Sequence, residues 1–169
     1  MTQGAKKSFL GHNGRQPANP SPTMIGLLQR VTSASVTIDG QCVGAIGPGL
    51  LVLVGVQRDD GEAQAERLLE RLLGYRVFPD ETGRMNRSLA DIGGGLLLVP
   101  QFTLAADTRK GTRPGFSRAA APDQGRRLFA HLCRLAEARH RPFGQGEFGA
   151  DMQVALVNDG PVTFWLETH

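Results

Sequence analysis

Several residue types that build common catalytic and metal sites are scarce in this 169-residue chain. It has only two cysteines, Cys42 and Cys133, which are too far apart in sequence to form a CxxC pair, and only four histidines. Two of these, His131 and His140, are nine positions apart and do not share a helical face. The composition therefore argues against a disulfide framework and predicts no metal site.

Long apolar stretches and familiar catalytic motifs are absent as well. The longest apolar runs, such as residues 49–56, are far shorter than the roughly 20 residues that cross a bilayer. No GxSxG, HExxH, Walker or dinucleotide-binding motif occurs. With few cysteines and no apolar signal segment, the sequence predicts a cytoplasmic protein without a membrane partner.

Acidic residues are missing from the first 23 positions. Lys6, Lys7 and Arg15 are the only charged residues there, and they account for the whole formal net charge of +3. The segment is rich in Gly, Pro, Asn and Ser, a composition typical of disorder. We expect residues 1–23 to be a disordered N-terminal extension, with an RNA-binding arm as the alternative, and residues 24–169 to be one electrically neutral domain.

Apolar runs alternate with Gly-, Pro-, Asn- or Asp-containing turns in the rest of the chain. Runs typical of β-strands occupy residues 25–38, 41–46, 50–56, 75–78, 96–104, 153–157 and 162–166, the last two joined by a hairpin-like junction. Helical spacing begins after a cap at Asp59 or Asp60 and ends at Gly74, and a second helix begins at Pro122 and ends before Pro142. The pattern predicts an α+β fold of mainly antiparallel strands, in a barrel-like or sandwich arrangement, with two inserted helices.

Positive charge is concentrated in one part of the domain. Residues 107–141 carry nine basic and three acidic side chains, whereas the rest of the domain has an excess of acid. Arg109, Lys110 and Arg113 lie in a segment with Gly and Pro that predicts a loop. Guanidinium groups suit phosphate oxygens, so this cluster is a candidate nucleic-acid contact; an ordinary solvated surface is the other interpretation. Little aromatic interleaving accompanies these charges, which argues against a stacking platform for single strands.

Two short segments are unusual for the strands in which they are predicted. In Val99–Leu104, Pro100 lacks an amide donor and must lie at a strand end, an edge or a bulge. Gln101 and Thr103 place polar groups in the same apolar run, which fits either structural hydrogen bonds or the lining of a pocket. In Asn158–Thr163 a Gly-Pro pair joins two strands, either as a tight turn or as a cis peptide that aims two carbonyls together.

The same two segments carry a resemblance to a known family. Gln101-Phe102-Thr103-Leu104 and Asn158-Asp159-Gly160-Pro161-Val162-Thr163, in this order, resemble the signature motifs of D-aminoacyl-tRNA deacylases, which proofread chirality in translation. The resemblance runs from Met24 to Leu166, and its other matching stretches are Gln29-Arg30-Val31-Thr32, 51–56, 73–78 and Arg84-Met85-Asn86. Residues 1–23 have no counterpart in the usual family pattern.

The resemblance implies a homodimer whose active sites lie at the subunit interface, with no cofactor. A Gly-Pro dipeptide in cis would reach into the partner's pocket, where its carbonyls capture the substrate's amino group and its wall excludes L side chains. The site residues implied are Gln101, Phe102 and Thr103 for catalysis, Gly160 and Pro161 for chiral selection, Arg30 and Asn158 as their support, and Phe148 and Met152 near the pocket of the terminal adenosine.

The implied reaction is hydrolysis of the ester that joins a D-amino acid to the tRNA 3′ end. No His or Lys is placed by motif to activate Thr103, so we expect attack by water, with backbone donors near Phe102 and Thr103 as an oxyanion site. The tRNA 2′-hydroxyl would assist. The basic cluster of Arg109, Lys110 and Arg113 would contact the tRNA, and no DNA partner is expected.

One departure from the family pattern and two alternatives remain. Pro100 stands where the family commonly has Ser, so a hydroxyl is lost there, but we expect activity to survive. A pocket that rejects L side chains still admits glycine, which makes misacylated glycyl-tRNA a second expected substrate. A catalytically idle tRNA-binding module with the same fold is the alternative from another functional class.

Overall fold

The computed structural model describes residues 23–169, which form eight strands, three α-helices and one 3-10 turn. The strands are β1 (Ile25–Ile38), β2 (Gln41–Ile46), β3 (Gly49–Gly55), β4 (Phe78–Pro79), β5 (Met85–Arg87), β6 (Gly95–Pro100), β7 (Phe143–Gln145) and β8 (Gln153–Glu167). The helices are α1 (Glu62–Gly74), α2 (Leu89–Ile92) and α3 (Pro122–Arg139), and the 3-10 turn spans Phe102–Ala105. The predicted α+β class is confirmed.

One long strand, β1, organises the main sheet. Along one edge β1 pairs antiparallel with β3 and, further along the strand, with β2. Along the other edge it pairs antiparallel with β8. Beyond β3 the sheet continues with β6, which is parallel to β3, and then with β7, which is parallel to β6. The two ends of this series approach each other, because a Cβ on Gly44 of β2 would lie 2.9 Å from the carbonyl oxygen of Gln145 on β7. The sheet is therefore nearly closed, in agreement with the predicted barrel-like arrangement.

Helices α1 and α3 cover one face of this sheet. The apolar stripe of α1 and that of α3 are buried against β1, β3 and β6, and this cluster forms the main core. A smaller cluster on the other face contains Val31, Val36, Leu51 and Leu97. Because β3 and β6 have core on both faces, their continuous runs of Leu and Val are buried almost completely.

Two of the predicted strands end differently in the structure. The run 96–104 is a strand only up to Pro100, which lies at the strand end, and the chain then turns through the 3-10 segment. The predicted hairpin-like junction within 153–166 is wrong, because both halves belong to β8 and both pair with β1. An apolar run with a central break looks the same whether its halves pair with each other or with a third strand.

Smaller differences concern short elements and boundaries. Helix α2 is a third, four-residue helix, which is too short for an apolar period and is capped by the hydroxyl of Ser88. Of the strand predicted over 75–78, only Phe78 is in a strand. Thr23, expected in the extension, is buried, and its hydroxyl accepts a hydrogen bond from Gln57 at 2.7 Å. The rest of the expected disordered extension lies outside the described residues.

Asp60 anchors the connection from β3 to α1 without capping the helix. The N-cap position belongs to Gly61, and the Oδ2 atom of Asp60 instead accepts the backbone N–H of Gln57 at 2.7 Å. Its Oδ1 atom is buried without a hydrogen-bond partner among residues 23–169. Burial raises the pKa of this carboxyl to about 6, against a partial lowering by the Gln57 amide.

Replacing Asp60 with Asn is expected to stabilise the domain at neutral pH. Between about pH 4 and 6 the native carboxyl holds a proton that the unfolded chain has released, so stability falls as the pH rises through this window. Asp60→Asn removes that slope and adds about 1–2 kcal/mol to the free energy of unfolding at pH 8. Urea unfolding from pH 4 to 8 measures both effects. The exposed Asp151, changed to Asn, is the control, and an unchanged slope in Asp60→Asn contradicts the assignment.

Candidate active site

The end of β6 presents the segment that the family resemblance implies to be catalytic, the candidate catalytic turn of residues 101–106. Pro100 closes the strand, and the Gln101 N–H still bonds the Val54 carbonyl of the neighbouring strand at 2.8 Å. The chain then bends, so that Leu104 donates to Gln101 and Ala106 to Thr103. Gln101 and Thr103 therefore project from a turn beyond the sheet and not from an alternating strand.

Two consecutive backbone amides in this turn are available to a ligand. The N–H groups of Phe102 and Thr103 donate to no residue within 23–169, because the hydrogen bonds of the turn begin with Leu104. The Thr103 hydroxyl accepts a hydrogen bond from the side-chain amide of Gln101. Within the described part of the chain it bonds no His or Lys, so this threonine lacks the base that an attacking hydroxyl needs.

Phe148 connects the catalytic turn with a larger cavity. A small apolar cleft has Pro100 and Phe102 on one side and Phe148 on the other. Phe148 also lines a cavity of about 430 Å³, whose lining includes Arg126 and residues 145–147. The Arg126 guanidinium lies over the Phe148 ring, with its carbon 5.1 Å from the ring centre, in a cation–π contact.

Met152 lies behind the same cavity and is not part of its lining. Its sulfur accepts the Glu147 N–H at 3.4 Å and would be 2.8 Å from a Cβ at Gly146. Met152 therefore supports the wall that Gly146 and Glu147 form. The structure brings Phe148 to the cavity and Met152 to its back, while the role of each in binding an adenosine stays a prediction.

The Gly-Pro dipeptide lies in a large bulge of β8. Thr163 pairs with Gln29 of β1 and Asn158 pairs with Val31, so four residues, 159–162, stand opposite the single residue Arg30. The Gly160–Pro161 peptide bond is cis, as the resemblance implied, and Gly160 has a φ of +122°. Because these residues have no partner on β1, the carbonyls of the dipeptide lie outside the ladder.

Arg30 and Asn158 hold this bulge from two sides. The Arg30 guanidinium donates to the Asp159 carbonyl at 3.2 Å and to the Val77 carbonyl at 2.6 Å, and it forms an ion pair with the Asp159 carboxylate. The Asn158 side chain donates to the carbonyls of Arg30 and Val162 at 2.8 and 3.0 Å. These side-chain bonds take the place of the backbone hydrogen bonds that β1 and β8 do not form here, and they close the bulge at its base.

One chain does not bring the dipeptide to its own catalytic turn. The Gln101 N–H bonds the carbonyl of Val54, and Val54 pairs with Gly26 of β1. Gly26 is four residues from Arg30, the residue opposite the bulge, which is about 13 Å along the strand. Across the sheet, β6 and β8 are separated by three strand spacings of about 4.8 Å each. The two signature segments therefore occupy well-separated positions on the sheet.

The three basic residues predicted to bind tRNA are not equivalent. Arg109 forms a two-pronged salt bridge with Asp107, with N–O distances of 2.8 and 2.6 Å, which holds the pKa of Asp107 well below its usual range. Lys110 and Arg113 have no ion pair within residues 23–169. Together they line an open cavity of about 500 Å³ with Gly115 and Ser117.

Comparison with known proteins decides the family. The family model described as D-Tyr-tRNA(Tyr) deacylase matches residues 27–167. The chain belongs to this family. The D-aminoacyl-tRNA deacylase of Thioalkalivibrio sulfidiphilus is 69% identical over 144 residues, which cover 85% of this chain and 97% of the relative. The D-aminoacyl-tRNA deacylase of Alkalilimnicola ehrlichii is 68% identical over 146 residues, which cover 86% and 97%.

Solved structures share the fold. A protein titled "c-Myc DNA Unwinding Element Binding Protein" matches with a TM-score of 0.81 and 38% identity, over 86% of this chain and 99% of its own. A structure titled as a probable eukaryotic D-amino acid tRNA deacylase matches with a TM-score of 0.73 and 20% identity, over 86% and 100%, and it supports the fold alone. The first title concerns that protein, and the expectation of no DNA partner here stays a prediction.

Sequence reasoning missed two features of the site. The Val77 carbonyl, which fixes Arg30, has no side-chain signature, and the ring of Phe116 packs on the ring of Phe102 from a loop 14 positions away. No group of three or more metal-ligating side chains occurs within 23–169, and the absence of a resident metal stays an expectation. In the same range, no helix is both long and apolar enough to cross a membrane.

Proposed function

We propose that this protein hydrolyses the ester bond of D-aminoacyl-tRNA and releases the free D-amino acid and tRNA. The observation that carries the proposal is the pair of unengaged amides at Phe102 and Thr103, within the motif that the family resemblance marks as catalytic. Two adjacent donors suit the oxyanion that forms when an ester carbonyl is attacked. Relatives at 68–69% identity bear the name of this activity.

Water serves as the nucleophile in the proposed reaction. Its oxygen attacks the ester carbonyl carbon, the carbonyl electron pair moves to the oxygen, and the Phe102 and Thr103 amides stabilise the resulting charge. The intermediate then expels the ribose oxygen, which takes the proton that the attacking water gives up, and the neighbouring 2′-hydroxyl of the tRNA relays this proton. The Thr103 hydroxyl is not the nucleophile, and its oxygen already accepts a hydrogen bond from the side-chain amide of Gln101.

The site is completed by a second copy of the chain. The separation between the catalytic turn and the Gly160–Pro161 bulge supports a homodimer in which each bulge serves the other subunit's turn. β8 is an edge strand, and its outer surface exposes Val157 and Trp165, which suits contact between copies. In this arrangement the carbonyls of Gly160 and Pro161 accept hydrogen bonds from the substrate's α-amino group. The wall behind them leaves room for a hydrogen on the substrate's α-carbon but not for an L side chain.

Comparing the release of D-tyrosine, L-tyrosine and glycine from charged tRNA tests the activity. We expect D-tyrosyl- and glycyl-tRNA to be hydrolysed and L-tyrosyl-tRNA to be spared. Thr103→Val should keep kcat within about tenfold of wild type, because the amide donors remain and the hydroxyl is not the nucleophile. Purified protein that binds tRNA but releases none of the three amino acids would be the idle binding module and would end the proposal.

Replacing Gly160 with Ala should weaken chiral discrimination. A Cβ there would lie 2.8 Å from Val162 and 3.0 Å from the Arg30 guanidinium, at a φ that L residues rarely adopt, so the dipeptide must shift. We expect the ratio of D- to L-tyrosyl-tRNA hydrolysis to fall at least about tenfold. Gly40→Ala also places an L residue at a positive φ, +78°, but in open space, and is the control for a positive φ without a steric clash. Undiminished selectivity in Gly160→Ala contradicts the assigned role.

Removing the two unpaired cations of the basic cavity should weaken tRNA binding. Lys110→Gln with Arg113→Gln loses two phosphate contacts, so the slope of log binding constant against log salt should flatten by roughly 1.5–2. Arg109→Gln should change the slope less, because Asp107 already compensates that charge. Arg134→Gln with Arg139→Gln removes two exposed cations of α3 that form no ion pair within residues 23–169 and is the matched control. Equal slopes for wild type and the cavity variant would exclude this cavity from the tRNA interface.

A further inference from the structure

The rings of Phe102 and Phe116 form an exposed aromatic pair beside the catalytic turn. Their centres are 5.2 Å apart with planes inclined by 45°, and the two residues are 57% and 41% exposed. They are two of only six large apolar residues of the described chain with such exposure, and they touch each other. Adjacent exposed rings offer a flat apolar surface on which a planar ligand can stack.

The loop that carries Phe116 is held firmly at its base. Asp107 and Gly115 exchange two backbone hydrogen bonds of 2.7 and 3.0 Å, which close residues 107–115 into a loop. Phe116 follows directly, and its carbonyl accepts the Ala119 N–H at 3.1 Å. The backbone carbonyl of Arg118 accepts the Arg58 N–H. The ring of Phe116 is thus presented from an anchored position.

Basic side chains lie on the same loop that leads to Phe116. Gly115 and Ser117, the neighbours of Phe116 in sequence, line the cavity that also holds Lys110 and Arg113. Aromatic rings next to basic side chains are the combination that binds unpaired nucleotides, because the rings stack on bases while the cations hold the phosphates. Local composition argues against a stacking platform, but it does not show this pair, because the second ring comes from another segment of the chain.

We propose that Phe102 and Phe116 form a stacking platform for the base of the nucleotide that precedes the terminal adenosine of the tRNA. The inference rests on the proposed function, with the ester at the Phe102 and Thr103 amides, and on the expectation from the family resemblance that the terminal adenosine takes the cavity at Phe148. The next base along the strand then covers the exposed rings, and its phosphate faces Lys110 and Arg113. The Phe102 amide serves the ester, whereas its ring serves this base.

Short RNA hairpins that end in the tRNA 3′ sequence and carry a D-amino acid test the platform. One version keeps the base before the terminal adenosine, and the other has an abasic site there. For wild type, kcat/KM should be about tenfold higher with the base present. In Phe116→Ala this ratio should fall to within about twofold of one, whereas Phe116→Tyr, which keeps a ring, should retain it.

Controls separate stacking from general damage and from failure of the proposed function. Met85→Ala truncates another exposed apolar side chain and should keep the wild-type ratio. If wild type cleaves neither ester, the proposed function fails, and the platform is then judged by the binding of the uncharged hairpins, for which the same ratios are expected. A wild-type ratio near one, an unchanged ratio in Phe116→Ala, or loss of dimer in that variant by sedimentation would overturn the platform.

Discussion

The pairing of β1 with both halves of β8 is the constraint on which the rest of the site depends. The two halves are fixed on either side of the four unpaired residues, so the excursion between them cannot spread along the strand and must project from the sheet. Asn158 occupies the place of the missing rungs, and Arg30 joins the bulge to Val77 on a different part of the chain. The dipeptide is therefore positioned by neighbours and not by its own conformation alone.

Much of this fold follows from local patterns in the sequence. The limits of β1 and β2 coincide with the predicted runs, because the Asp39–Gly40 turn between them has the positive φ values that these residue types tolerate. α3 begins at Pro122, where the first helical turn needs no amide. The pattern does not decide which runs pair, and that is why the break in β8 was interpreted as a hairpin.

The candidate site divides in the same way. Its motif residues could be identified from the chain, since the family resemblance assigns them to consecutive positions. The contacts of the site could not be predicted from the sequence. A backbone carbonyl such as that of Val77 has no characteristic sequence pattern, and the contact of Phe102 with Phe116 depends on how a loop closes. The basic cluster shows the same limit: Arg109, Lys110 and Arg113 are alike in sequence, and the salt bridge with Asp107 sets one of them apart.

In the proposed site, the charged side chains are separated from the groups that would stabilise the oxyanion. The groups that face the proposed ester are neutral: two backbone amides, a hydroxyl and a side-chain amide. None of these titrates near neutral pH or attracts counterions, whereas the cations that would meet the phosphates lie on the loop beyond them. Salt therefore acts on the encounter with RNA and leaves the stabilisation of the oxyanion untouched. The net charge of +3 is no guide to either property, because it arises from residues outside the described domain. The basic surface that suits RNA belongs to a domain whose net charge is zero.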